Sequence, residues 1–137
     1  MNINLVQDEM AVRLDTIAGL RVPPIGASKI SPPAVLFALP EVITYDLNYQ
    51  RGADDMTQPF LILVSKADSR AGARSLNEYM NGSGPKSIKA VVDSRPGAPY
   101  ESCAMVVVQT VRPDTFTVSD VDYLGAVFTA MVSGPGA

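Results

Sequence analysis

The stretch between Met56 and Val92 limits the possible folds of this chain more than any other. It contains an unbroken apolar run, Phe60 to Val64, which is too short to cross a bilayer and is bounded by polar residues. A run of this length is typical of a strand buried on both faces. The segment after it changes to helical spacing, with apolar residues at Ala71, Ala73, Leu76, Tyr79 and Met80. The stretch therefore predicts a central strand followed by a helix, against which the rest of the chain packs.

Capping residues predict where the central helices begin and end. Asp68 precedes the first helix and can accept hydrogen bonds from its free N–H groups. Asn81-Gly82 is expected to supply a left-handed residue at its end. Gly84-Pro85 then favours the start of a second, short helix, since proline suits the first helical position. That helix carries Ile88, Val91 and Val92 on one face.

The N-terminal segment also has helical spacing. Apolar residues recur at Val6, Met10, Leu14 and Ile17. Asn4 is expected to cap this helix with Gln7 as its partner, and Gly19 to close it. Such an amphipathic helix either lies on a sheet or binds a partner. The proline-rich connector from Leu20 to Pro33 is expected to be extended.

The remaining segments predict strands. Val35 to Tyr45 is interrupted by Pro40, which indicates an edge or bulged strand. The region about 102–133 is expected to form a three-stranded meander with a turn at Arg112-Pro113-Asp114 and a bulge near Gly125. With Phe60–Val64 this makes about five strands, mostly antiparallel, with grouped helices. The fold class is therefore α+β, in one domain covering residues 1–137.

The most polar stretch, Asp46 to Gln58, is expected to be a long loop joining two strands. Long ordered loops tend to carry function, although a passive surface connector remains the alternative. The loop contains an aromatic residue, an arginine, two acids and a methionine, a mixture common at protein interfaces. Its candidate interface residues are Tyr49, Arg51, Asp54, Asp55 and Met56.

The residue types favour an interaction module over an enzyme. The chain has no histidine, which removes the commonest general base and the commonest metal ligand. Its single cysteine, Cys103, is expected to be a core thiol. Asp54 and Asp55 diverge in an extended segment and make a poor metal site. The glycine-rich Asn81–Pro85 segment can hold an anion in principle, but capping explains it fully. The sequence thus predicts no catalytic activity, no cofactor, no metal and no strong DNA binding, in line with its net charge of −3.

Several segments, taken together in order and spacing, resemble the tail terminator proteins of long-tailed phages that infect actinobacteria. They are YQRGADDMTQP from Tyr49 to Pro59, the apolar strand ending at Ala67-Asp68, GSGPKSIK from Gly82 to Lys89, VDYLGA from Val121 to Ala126, and GLRV from Gly19 to Val22. One departure from the family pattern is the proline-rich loop at Ser94–Pro99.

The resemblance implies a structural virion protein at the tail-neck junction, assembled in the host cytoplasm. Such a subunit forms a homohexameric ring that caps the tail tube, ends its growth and provides the surface for head joining. The implied partners are the tail tube protein and the head-completion or connector proteins of the neck. DNA passes through the ring without specific binding, and no membrane is involved.

Two other classes stay open at this point. One is a different protein of the same particle, such as a head-completion protein or a tail tube subunit. The other is a small ligand-binding or enzymatic α+β domain unrelated to phages.

Overall fold

Three helices and five strands make up the described part of the chain, which in this computed structural model comprises residues 1–22, 32–45, 52–66, 70–118 and 120–136. In order they are α1 (Ile3–Leu14), β1 (Ala34–Phe37), β2 (Val42–Thr44), β3 (Asp54–Lys66), α2 (Arg70–Met80), α3 (Ile88–Val92), β4 (Met105–Val118) and β5 (Val121–Gly134). The strands form one antiparallel sheet in the order β1-β3-β5-β4, and β2 also pairs with β3. The predicted α+β class and the five-stranded, helix-covered sheet are confirmed.

The C-terminal region is a two-stranded hairpin, and the predicted three-stranded meander is wrong. Pro113 lies inside β4, opposite Ala126, and Arg112-Pro113-Asp114 makes no turn. β4 is an edge strand in the described sheet, so its outer side requires no ladder hydrogen bond from proline. The strand count still agrees, because the segment predicted as one strand over 35–45 forms two.

β1 and β2 together form the opposite edge, with the break at Pro40, as the proline predicted. The amide of Gln58 stabilises this break. Its Nε2 donates to the carbonyl oxygens of Ala38 at 2.7 Å and Pro59 at 2.8 Å, and its Oε1 accepts from Gln7 Nε2 at 3.0 Å. Gln58 is fully buried, so these bonds satisfy an amide that would otherwise cost folding free energy.

A bulge interrupts the pairing of β3 with β5, as the glycine in β5 suggested. Leu63 pairs with Gly125 and Ser65 with Leu124, which leaves Val64 as the extra residue in β3. A side chain at position 125 would meet the carbonyl oxygen of Ile62 at 2.2 Å. Only glycine allows the two strands to approach this closely.

All three helices cover the same face of the sheet. In-register strand partners project from one face, so the pairs Met56–Val132, Phe60–Phe128 and Ile62–Ala126 share the side that meets the helices. Residues of this face join buried residues of the helices in a single core, among them Val6, Met10, Leu14, Leu76, Tyr79, Ile88 and Val92. Within it the rings of Phe60 and Phe128 stack 5.3 Å apart.

Several helix boundaries differ from the prediction by one turn or less. Asn2, not Asn4, caps α1, since its Oδ1 accepts from Leu5 N at 3.2 Å. The left-handed glycine in the 81–86 segment is Gly84, with φ of 111°, not Gly82. Ser87, rather than Pro85, starts α3, because its hydroxyl accepts from Ala90 N at 3.1 Å. Gly19, with φ of 80°, is left-handed as expected, and Asp68 lies outside the described residues.

Candidate interaction surface

The structure changes the location of three of the five predicted interface residues. Asp54, Asp55 and Met56 begin β3 instead of lying in a loop, so the predicted 46–58 loop is too long. Met56 is 1% exposed and pairs with Ile43 and Val132 in the core, which removes it from any surface. An apolar residue at an inward position of a strand is buried whatever the polarity of its sequence neighbours. Tyr49 and Arg51 lie outside the described residues.

Asp55 remains on the surface, on the face of the sheet opposite the helices. It is flanked in register by Thr44 on β2 and Ser133 on β5, and its Oδ1 accepts a hydrogen bond from the Ser133 hydroxyl. Asp54 is half-buried at the start of the strand, opposite Gly134. Their role in contacts with other molecules stays a prediction.

No described helix packs on that opposite face, which we call the open face. Strand pairing assigns it fifteen residues over the central part of the sheet: Leu36, Val42, Thr44, Asp55, Thr57, Pro59, Leu61, Met105, Val107, Thr110, Arg112, Val127, Thr129, Met131 and Ser133. An antiparallel sheet commonly packs one face on a core and turns the other to solvent. Solvated faces of this kind are normally polar, so the apolar residues on this one distinguish it.

Apolar side chains on the open face form rows that cross the strands. One row joins Leu36, Leu61 and Val127 on neighbouring strands. A second joins Val42, Thr57, Met131 and Val107, and the Thr57 hydroxyl lies 3.5 Å from Met131 Sδ. Val42 is 59% exposed and Met105 is 45% exposed. Contiguous apolar surface of this kind marks a site of interaction with another molecule.

A shallow groove crosses the open face between two charged residues. Its lining consists of Glu41 at one side, Arg112 at the other, and Thr110, Val127 and Thr129. Arg112 and Glu41 are exposed, and neither side chain makes a hydrogen bond or ion pair that involves only described residues. The groove thus has a floor of two threonines and one valine, Thr110, Thr129 and Val127, with one cation and one anion at opposite ends.

The backbone groups on the outer side of β4 already have hydrogen-bond partners along the first half of the strand. These partners are side chains of the preceding segment. Val106 N donates to Ser94 Oγ at 3.0 Å, Val108 N donates to Asp93 Oδ1 at 2.7 Å, and Val108 O accepts from Lys89 Nζ at 2.9 Å. Pro113 lies further along the same edge. These features disfavour the addition of another strand to β4.

The opposite edge presents exposed apolar side chains. Leu39 is 85% exposed and Tyr45 is 67% exposed, on either side of β2. They lie at the edge of the sheet on either side of β2, whose Val42 belongs to the open face. The candidate interaction surface therefore consists of the open face together with Leu39 and Tyr45.

A polar cluster beside α1 is structural, and no pattern in the sequence indicated it. Glu9 accepts from Glu101 N at 3.0 Å and from Ser102 N at 3.0 Å, and the Ser102 hydroxyl donates to it at 2.6 Å. Burial alone would raise the pKa of Glu9, but these hydrogen bonds and Arg13 outweigh it and lower that pKa. The cluster fixes the 93–104 segment to α1.

Arg13 and Tyr100 complete the same attachment. The Arg13 guanidinium lies 3.8 Å from the centre of the Tyr100 ring and donates to the carbonyl oxygens of Ala98 and Pro99 at 2.8 and 2.7 Å. The Tyr100 hydroxyl donates to Val92 O at 2.6 Å, and burial raises the pKa of this phenol strongly. Because every polar group here has an internal partner, the cluster has no free group to act on a ligand.

Cys103 is buried, at 5% exposure, and burial raises the pKa of its thiol. It lies two residues before β4, in the segment that α1 holds. Among the described residues no three histidine, cysteine or carboxylate side chains group together to hold a metal ion. The described helices include none with the length and apolar character needed to span a membrane.

Comparisons with models of known protein families and with curated proteins find no match to this chain.

Proposed function

We propose that this protein is a tail terminator of a long-tailed phage, a structural subunit whose ring caps the tail tube. The assignment to phages rests on the order and spacing of the segments that resemble this family. The observation that supports an assembly role is the open face, an apolar sheet surface that no described helix covers. A subunit that acts alone gains nothing from such a face, whereas a ring subunit needs it for contacts.

Ring closure sets a requirement that the molecule meets. In a cyclic oligomer each subunit contacts its neighbours through two different patches, one on each side. The exposed large apolar residues of the described chain fall into two groups, Leu5 and Val12 on α1, and Leu39, Val42, Tyr45 and Met105 on or beside the open face. These groups lie on opposite sides of the sheet. The proposed assembly is a homohexamer at the tail-neck junction of the virion.

The charge of the chain agrees with a DNA channel. Specific or tight binding would hold DNA that must pass through the ring, and a net charge of −3 disfavours it. The proposed partners are the tail tube protein on one side and the head-completion or connector proteins on the other. The predicted contact residues Tyr49, Arg51, Asp54 and Asp55 belong to this proposal.

Deletion and complementation in a phage that carries this sequence test the proposal. We expect particles lacking the protein to have overlong tails or tails without heads, and the wild-type gene to restore normal length. Cryo-electron microscopy of the neck should find six copies in a ring on the end of the tube. Copies stacked along the whole tube would identify a tube subunit instead, and twelve copies at the head would identify a head-completion protein. Normal particles formed without this chain would refute the terminator, tube-subunit and head-completion assignments alike.

A further inference from the structure

We propose that the groove on the open face of one copy receives the outer surface of α1 from a neighbouring copy. This inference rests on the proposed ring and names the two surfaces that close it. It follows from three features of the described chain: an exposed stripe on α1, a groove of matching length, and the positions of charges at the groove ends.

The stripe on α1 alternates apolar and acidic residues. Leu5, Asp8, Val12 and Asp15 follow one another at spacings of three, four and three, which places them on one side of a helix. Leu5 is 54% exposed and Val12 is 69% exposed, while Val6, Met10 and Leu14 on the other side are fully buried. Two large apolar residues on the outer side of a surface helix have no function in the fold of the single subunit.

The groove matches this stripe in length. Glu41 directly precedes β2 at one edge of the five-stranded sheet and Arg112 lies on β4 at the other, with β3 and β5 between, so three strand spacings separate them, which is about 14 Å. The rise from Leu5 to Asp15 along a helix is about 15 Å. The small side chains of Thr110, Thr129 and Val127 leave room between them for a helix ridge.

The charges fix the direction of the helix in the groove. With its first turn at Glu41 and Asp15 at Arg112, the positive end of the helix dipole meets a carboxylate and its negative end meets a guanidinium. Asp15 and Arg112 then form an ion pair, and Leu5 and Val12 lie on Val127 and the methyl groups of Thr110 and Thr129. The reverse direction places Asp15 against Glu41, which is repulsive.

The contact joins opposite sides of the molecule. Each subunit therefore keeps a free α1 stripe or a free groove after binding one neighbour, and further copies add until the ring closes. Strand addition does not provide this contact, because the outer side of β4 is already hydrogen-bonded by Ser94, Asp93 and Lys89.

Charge reversal tests the contact in the purified full chain. We expect Asp15→Arg or Arg112→Glu to weaken self-association in sedimentation velocity by about five- to tenfold, since each turns an attraction into a repulsion. The double variant Asp15→Arg/Arg112→Glu should restore association. Glu78→Arg and Arg74→Glu make the same changes of charge at exposed positions on α2, away from both surfaces, and they should have no effect.

Chemical cross-linking supplies a second measurement that needs no stable oligomer. An Asp–Arg ion pair holds its two Cα atoms beyond the ~7 Å reach of a disulfide, so the cysteines are joined with a short bis-maleimide. The variant Asp15→Cys/Arg112→Cys should then give a ladder of oligomers on a denaturing gel, whereas each single variant should stop at dimers. Absence of a ladder, or single charge variants that associate like the wild type, would overturn the inference. A monomeric wild type at every concentration, with no ladder, would overturn it too.

The two proposals fail in different ways. If the charge variants still complement tail assembly at wild-type efficiency, the protein is a terminator whose ring closes through other surfaces. If the ladder and the double-variant rescue appear but deletion leaves tails normal, the contact is correct and the phage role is wrong.

Discussion

Replacing Gly125 with alanine should destabilise the protein more than the same change at Gly82, Gly97 or Gly134. The new Cβ would lie 2.2 Å from the carbonyl oxygen of Ile62 and 3.2 Å from side-chain carbons of Leu63 and Phe116. The nearest atom belongs to the backbone of β3, so a change of side-chain rotamer cannot relieve the clash. β3 and β5 must separate at the bulge where Val64 is already unpaired.

The cost follows from what that separation breaks. Losing about two ladder hydrogen bonds costs about 1–3 kcal/mol, and the overpacking of the Leu63 and Phe116 side chains adds about 1–2 kcal/mol. The expected loss in the free energy of unfolding is therefore about 2–5 kcal/mol. With an unfolding entropy of about 2.1 cal/mol/K per residue, this lowers the thermal midpoint of a chain of this length by about 7–17 °C.

Two other glycines provide matched controls, measured by urea denaturation and calorimetry on the purified protein. A Cβ at Gly82 meets nothing within 4 Å and its φ is ordinary, so Gly82→Ala should be neutral or stabilising by about 0.5 kcal/mol. A Cβ at Gly84 also meets nothing, but its φ of 111° strains any side chain, so Gly84→Ala should cost about 1–3 kcal/mol. A Gly125→Ala protein within about 0.5 kcal/mol of Gly82→Ala would refute the packing argument. A Gly84→Ala protein as stable as Gly82→Ala would refute the separate argument from φ.

Three further predictions concern the buried amide, the carboxylate at α1 and the thiol. Gln58→Leu leaves two carbonyl oxygens and the Gln7 amide without their partner, so it should lower the free energy of unfolding by about 2–4 kcal/mol in urea titrations. Glu9 has a pKa below its ordinary value of 4.5 in the folded protein. Its ionised carboxylate therefore contributes to the free energy of unfolding above that pH, and this contribution is lost as the pH falls through the folded pKa. The difference in thermal midpoint between wild type and Glu9→Gln should therefore shrink on going from neutral pH to below 4.5, and a constant difference would contradict this. Cys103 should react with a thiol reagent at pH 8 only on unfolding, because burial raises its pKa, and rapid labelling of the native protein would show that the 93–104 segment opens.

The sequence alone determined the elements whose signal is local. The apolar run at Phe60–Val64 identified the central strand, because its neighbours on both sides are polar. The prediction that both faces of this strand are buried was wrong, because Leu61 lies on the open face and is only partly buried. Helical spacing found α1 and α2, and Pro40 marked an edge strand, because proline acts on the backbone of its own residue. The absence of histidine limited the available chemistry without reference to any fold.

Position within the sheet decided what local signals could not. Pro113 was predicted to lie in a turn, because proline cannot donate a backbone hydrogen bond within a sheet. A strand tolerates proline where no neighbouring strand requires that hydrogen bond, and only the strand order shows that Pro113 lies on an outer edge. Met56 followed a polar segment and was assigned to a loop, although its inward alternation on β3 buries it against Val132.

The candidate surface depended on tertiary structure altogether. Leu36 is far in the chain from Val127 and Met131, and all three have the apolar character expected of core residues. They are on the surface because three helices cover one face of the sheet and no described element covers the other. Which face the helices cover depends on the path of the connections, and that path follows from the free energy of the whole packed chain rather than from any single segment.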